Sequence, residues 1–229
     1  MNVGTLGPTD ADAALRLSRQ AGWGMRRADW ERLLIADEVT AVGGRVDGAL
    51  VATTTVAGYG DVGWVGCVLV DETYRRRGLG SDIFEAACER ADSPVLGLDA
   101  NPTGQPIYER AGFRTVTTVA QYEGRPDATS ADGVREASPA DYDAVAAFDQ
   151  RRTGLDRGWL LRAFADDPET TLPVAESDGI DGYALLHPDS HGWNLGPVVA
   201  DAPESAERLV RHAATVVADP LTVGSSHRS

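Results

Sequence analysis

The stretch "VDETYRRRGLGSDIF", residues 70–84, decides how this sequence is read. Three consecutive arginines, Arg75, Arg76 and Arg77, run into Gly78-Leu79-Gly80, and an apolar-periodic segment follows. An apolar strand ahead, glycines in the turn and a helix behind form an anion cradle. The first N–H groups of a helix lack intrahelical acceptors, and the helix dipole places partial positive charge there. Gly78 and Gly80 allow a phosphate to approach the backbone, and arginine adds charge-assisted hydrogen bonds. A pyrophosphate suits this layout. A Walker loop requires a lysine after its second glycine, and the chain contains none. A dinucleotide fingerprint requires a third glycine three residues beyond Gly80, where Ile83 stands.

Charge sharpens the contrast between this loop and its surroundings. The 229 residues hold 35 Asp and Glu against 21 basic side chains, all arginine, for a net charge of −14. Such a surface predicts a protein of a salt-rich cytosol, where screening removes self-repulsion. A GC-rich genome that favours arginine codons is the alternative. A basic face for nucleic acid is missing, so no nucleic-acid partner is expected. No apolar run is long enough to span a bilayer, and "MNVGTLGPTDADAALRL" has no basic flank before an apolar block. A cytoplasmic location without membrane attachment is expected. Cys67 and Cys88 lie in apolar stretches and read as buried thiols. His187, His191 and His212 have no ligand spacing with carboxylates or thiols, so no metal is expected.

Around the loop, the pattern predicts a helix over residues 10–36, with "ADWERLLIADE" leaving one apolar face. Two or three β-branched strands separated by glycine turns fill residues 40–70. After the helix 78–91 come a strand "PVLGLDA", a short helix in "GQPIYERAG" starting near Thr103 to Gln105, and a last strand "FRTVTTVAQYE". A polar stretch, "GRPDATSADG", predicts a linker over 124–133 between a first domain, 1–123, and a second, 134–229. The order then partly repeats. Residues 156–186 follow "ADWERLLIADEVTAVGGRVDGALVA", and "GWNLGPVVADAPESAERLVRHAA" echoes residues 63–87, with Trp193 in the place of Trp64. The second copy has "APESAER" where the first has "YRRRGLG", and "DPLTVGSSHRS" leaves room for at most one more strand. It reads as a degenerate, incomplete copy, which leaves room for a homodimer in which another subunit supplies a strand to an open edge.

Val68-Leu69-Val70 followed by Arg75-x-x-Gly78-x-Gly80 resembles the acyl-CoA-binding motif of the GCN5-related N-acetyltransferases. A second motif of that family is similar to "NPTGQPIYERAGF", with Asn101, Tyr108 and Gly112-Phe113 in order. The resemblance covers residues 10–123 and implies an α/β fold with a mixed, centrally splayed sheet flanked by helices, in tandem with a smaller α/β unit. It implies acetyl-CoA as cosubstrate and a primary amine as acceptor. The backbone of Val68, Leu69 and Val70 would pair with the pantetheine arm, and the N–H groups of residues 76–81, including Leu79 and Ser81, would hold the pyrophosphate. Asn101 would touch the arm, and Tyr108 would protonate the departing thiolate. Asp99 stands nearest to an acidic residue of the family's strand; roles as base and as turn cap both stay open. Trp23 and Trp30 are candidates for the acceptor pocket or for packing, and Glu72 for a solvated turn. An acyl-CoA-binding module without catalysis is the alternative function, and an interaction protein whose loop grips another polyanion a third.

Overall fold

The computed structural model describes residues 1–128 and 132–227, with backbone only from 225. The chain divides into two units, Met1–Thr115 and Val116–Ser229.

The first unit holds a five-stranded sheet of β1 (Asn2–Thr5), β2 (Val39–Val46), β3 (Ala49–Tyr59), β4 (Val62–Val70) and β5 (Val95–Leu98), in that order. The first four strands are antiparallel, and β5 runs parallel to β4. Helices α1 (Ala11–Gln20) and α2 (Arg27–Ile35) close a core with Leu15, Leu17, Trp30, Leu50, Cys67 and Leu69. Helix α3 (Leu79–Cys88) closes another with Val42, Ala52, Val56, Val65, Ile83 and Phe84; Tyr108 of α4 (Gln105–Arg110) packs against it. Residues 10–36 are therefore two helices, not the single helix the periodicity predicts. Gly22 at φ 73° turns the chain out of α1, a conformation that suits a residue without a Cβ.

The central feature of this sheet is a bulge in β4. Thr53 pairs with Leu69 but Thr55 with Gly66, so β4 spends one residue more than β3. Cys67 takes it up at φ 51°, and Thr53 Oγ1 donates to its carbonyl at 2.8 Å. The extra residue puts Val68 and Val70 on the same face as Val65. The ladder to β5 ends at Val65–Leu98, just before the bulge, and beyond it β4 runs on without β5. This is the splay that the family resemblance implies.

The second unit repeats the plan: β7 (Val134–Glu136), α5 (Tyr142–Thr153), α6 (Gly158–Ala165), β8 (Pro173–Glu176), β9 (Ile180–Pro188), β10 (Trp193–Ala200), α7 (Pro203–Val216) and β11 (Leu221–His227). One strand comes from earlier in the chain. β6 (Thr118–Gly124) pairs antiparallel with β11, giving the order β6-β11-β10-β9-β8-β7. The strand in "FRTVTTVAQYE" thus does not close the first domain at residue 123; the first unit ends at Thr115. The expected linker at 124–133 begins with the last residue of β6 and resumes as a turn at 132–133; residues 129–131 lie outside the described residues. Length gives the physical reason. β11 offers a seven-residue ladder to β6, whereas β5 has only four residues to pair. The outer edge of β11, where the sequence left room for another subunit's strand, is covered by β6 of the same chain.

Candidate functional site

β4 leads into the loop through Asp71. Its N–H donates to Val51 O at 2.8 Å, continuing the β3 side of the ladder. Its carboxylate accepts from Thr73 N–H (3.0 Å) and Thr73 Oγ1 (2.7 Å), which sets the turn Glu72–Tyr74, and from Arg16 (2.5 Å) and Gln20 (3.3 Å) of α1. The Thr73 hydroxyl leads, with Arg16, the Thr73 N–H and Gln20 adding, in holding this carboxyl well below the usual carboxylate range against the opposing effect of burial. Sequence reasoning passed over Asp71; the Asp-x-Thr spacing is an Asx-turn signal that could have found it.

The three arginines then divide. Arg75 Nε donates to the Val70 carbonyl at 3.1 Å and its guanidinium lies 3.9 Å from Glu72. Arg77 donates to Thr73 O at 2.8 Å, with its guanidinium 5.2 Å from the Tyr74 ring centroid. Arg76 is exposed and has no hydrogen bond or ion pair among the described residues. Arg76 and Gly78 both have left-handed backbones, φ 62° and 85°, and Gly78 is the residue on which α3 begins. At Gly78 conformation, not crowding, calls for glycine, since a Cβ there would meet nothing within 4 Å. At Gly80 a Cβ would make ordinary contact with Val70 Cγ2 at 3.4 Å. Gly78 O accepts from Ser81 and Asp82, but among the described residues the N–H groups of 76–80 donate to no protein acceptor. Five donors in a left-handed turn at a helix head form an anion nest.

The second motif lies on β5 and α4. Trp64 faces Gly97 across the β4–β5 ladder, where a Cβ would come within 2.7 Å of the indole. Loss of hydration raises the Asp99 carboxyl above its ordinary value, an effect that the nearby Trp64 side chain only partly offsets. Asn101 Oδ1 accepts the Gly104 N–H at 2.8 Å. Tyr108 packs against Phe84 (ring centroids 5.1 Å apart) and Phe113 (6.5 Å). Burial raises its phenol pKa, and its hydroxyl has no hydrogen-bond partner among the described residues. Packing of the ring and an unengaged hydroxyl occur together in this residue.

Other expected residues fall elsewhere. Trp30 is fully buried, its indole N–H donating to Ser18 Oγ at 2.8 Å, so packing accounts for it. Trp23 is 38% exposed in the connection from α1 to α2; that connection passes close to the bulge, where Met25 Sδ lies 3.9 Å from Cys67 Sγ. Burial pushes the Cys67 thiol up to about 12, and Cys88 is half-buried. A cavity of about 250 Å³ lined by Asp37, Glu38, Asp92 and Ser93 sits beside Gly58 and Gly60. That is the opposite end of the sheet from the loop, because Tyr59 pairs with Val62 while Ala52 pairs with Val70. Among the described residues no group of three or more His, Cys, Asp or Glu is placed to hold a metal ion, and no helix is long and apolar enough to cross a membrane.

Comparison with known proteins bears on the family and the fold. The model of the acetyltransferase (GNAT) family matches residues 12–113, and that of an acetyltransferase (GNAT) domain matches residues 145–228. The chain is a tandem GNAT-type protein. It is 27% identical over 191 residues to the holothin acyltransferase of Pseudoalteromonas sp. (strain SANK 73390), covering 82% of this chain but 65% of that protein's length. It is 26% identical over 223 residues to the uncharacterized N-acetyltransferase YitH of Bacillus subtilis (strain 168), covering 94% and 79%. The fold matches a crystal structure from Pyrococcus horikoshii classed as an acetyltransferase, with a TM-score of 0.80 at 21% identity over 96% of this chain and 78% of that one.

Proposed function

We propose that the chain transfers an acetyl group from acetyl-CoA to a primary amine, using residues of its first unit. The observation that carries this reading is the row of unengaged N–H groups from Arg76 to Gly80, at the head of α3 and directly after the part of β4 that has left β5. These groups would hold the pyrophosphate, and the open edge of β4 over Val68–Val70 would take the pantetheine arm as an added strand. Arg75 already engages the Val70 carbonyl, so it would shape the mouth of that path.

The neutral amine attacks the thioester carbon; the C–N bond forms and the C–S bond breaks. A backbone N–H of the splayed strand steadies the oxyanion, and Tyr108 gives its phenolic proton to the departing sulfur and regains one from water. Burial supports this role, because a raised phenol pKa keeps the hydroxyl protonated throughout the neutral range. Asp99 is the candidate base for the amine proton: a carboxylate whose pKa is raised holds a proton better than an ordinary one. The names of the two relatives, an acyltransferase and an N-acetyltransferase, support the reaction class. A net charge of −14 favours a cationic amine through steering, a pull that the salt-rich cytoplasm suggested by the same composition would weaken.

Calorimetric titration of acetyl-CoA in molar KCl tests the reading. Saturable binding by wild type is expected, lost in Gly78→Glu and kept in Gly48→Glu, a control at another open left-handed glycine, φ 82°. Failure of folded wild type to bind acetyl-CoA would overturn it.

A further inference from the structure

We infer that Asn101 and Gly104 are positioning residues for Tyr108. The inference rests on the acyl-transfer reading above.

A carboxamide has an acceptor oxygen and a donor nitrogen. In Asn101 the oxygen is committed to the Gly104 N–H at 2.8 Å, while its backbone carbonyl accepts from Gly104 and Gln105, both at 3.0 Å. The residue therefore closes an Asx-type turn that starts α4. The turn sets the backbone of Gly104 under the ring four residues later. A Cβ at 104 would lie 3.0 Å from Tyr108 Cε2, 3.5 Å from Cζ and 3.4 Å from Asn101 Oδ1. The backbone of Gly104, at φ −81° and ψ −32°, is open to any residue. Only the approach of the ring explains why glycine is there. Cζ bears the hydroxyl, so the reactive end of the ring rests on the Asn101–Gly104 turn. The rest of the ring lies on Phe84 and Phe113, and the Tyr108 carbonyl is fixed by Phe113 N–H at 3.0 Å. Tyr108 is clamped between an aromatic core and a turn that only a small residue permits. Its hydroxyl stays unengaged.

The test compares Asn101→Ala, Asn101→Asp, Gly104→Ala and Tyr108→Phe, with Gly104→Ala also placed on the Tyr108→Phe background. Acetyl-CoA affinity is read by calorimetry. Turnover is read as thiol release from acetyl-CoA with spermine or tyramine, whichever wild type acetylates faster. Displacing the ring is expected to lower kcat about ten- to a hundredfold in Asn101→Ala and Gly104→Ala, with the Kd for acetyl-CoA held within about twofold of wild type. Asn101→Asp keeps the acceptor oxygen but loses the donor nitrogen, and recovers most of the loss. Gly104→Ala adds nothing once the hydroxyl is gone. If Asn101→Asp is as poor as Asn101→Ala and both weaken acetyl-CoA binding, the side chain serves the arm and the inference falls. An additive loss from Gly104→Ala on Tyr108→Phe would overturn it as well. Absence of acetyl-CoA binding by wild type would instead bring down the acyl-transfer reading beneath it.

Discussion

The two units part their central strands in the same way and then diverge within a few residues. In the first, the β4–β5 ladder stops at Val65–Leu98 and β4 spends an extra residue against β3 between Gly66 and Leu69. In the second, the β10–β11 ladder stops at Leu195–Val223 and β10 spends an extra residue against β9 between Leu195 and Val198. Each splayed strand is followed by an aspartate whose N–H reaches the neighbouring strand at 2.8 Å, Asp71 to Val51 O and Asp201 to Asp181 O. From there the first unit takes eight residues to reach α3, with Arg76 and Gly78 left-handed, and the second takes two to reach α7, with Ala202 extended at φ −140°. Pro203 and Glu204 open α7, one without an N–H to offer and the other repelling an anion. A splayed sheet is therefore common ground, and the anion nest is a property of the longer loop.

The helix pairs offer the sharpest way to break this likeness. Ser18 and Asp149 each stand ten residues after a proline, Pro8 and Pro139, that opens a short helical turn. Ser18 accepts the Trp30 indole N–H and donates to the Ala14 carbonyl at 3.4 Å, all neutral contacts, whereas Asp149, fully buried, accepts Arg157 through both oxygens at 2.9 and 2.6 Å and the Tyr183 hydroxyl at 2.7 Å. Asp149→Ala removes the fully buried carboxylate that binds both Arg157 and Tyr183, and urea denaturation should show a loss of about 3–5 kcal/mol. Ser18→Ala, which removes neutral hydrogen bonds and takes the acceptor from the buried Trp30 indole N–H, should cost less, about 1–3 kcal/mol. Equal losses would mean that the second unit's ion pair carries no more than its counterpart.

Within the loop, the next effect separates Arg76 from its neighbours. Arg75 and Arg77 are engaged by the strand end and the short turn, and Arg76 by nothing described. Arg76→Ala should weaken acetyl-CoA binding about tenfold with an unchanged melting temperature. Arg77→Ala should lower the melting temperature slightly and change binding less. Calorimetry beside thermal melting separates the two, and the reverse order would place the cofactor-facing charge on the wrong arginine.

What the sequence made legible was local. Gly78 and Gly80 beside the arginines announce a backbone requirement at a helix head, and "APESAER" announces its loss, because both are written in adjacent residues. The destination of β6 was not legible. Alternation in "FRTVTTVAQYE" identifies a strand but says nothing about whose edge it joins, and its partner β11 lies at the far end of the chain. The break at Gly22 hid inside a continuous helical pattern, since an isolated glycine is tolerated there. The bulge at Cys67 had no signal either: its left-handed residue is not glycine, and its anchor, Thr53, comes from another strand. Asn101 and Tyr108 are candidates only through the family resemblance, and the contact that joins them runs through Gly104, whose place depends on a ring position that the sequence does not give.

The smallest expected effects concern the two aspartates that follow the splayed strands. Asp71 has its folded-state pKa depressed, above all by the Thr73 hydroxyl, with Arg16 and Gln20 contributing. Its stabilisation is therefore full above the ordinary Asp value of about 4 and is lost as pH falls below that toward the folded value. Asp71→Asn removes the titrating charge. The gap in urea midpoint between wild type and this variant should be widest at pH 7, begin to close near pH 4 and narrow further below it. Asp201 faces Arg152 at 2.8 Å with both side chains nearly half exposed, so Asp201→Asn should shift the midpoint little at any pH. A gap for Asp71→Asn that held constant into acid would mean that the carboxylate acts through shape alone. Asp71 would then hold its loop much as Asp201 holds the start of α7, and the difference between the units would reside in residues 75–78 without help from the charge before them.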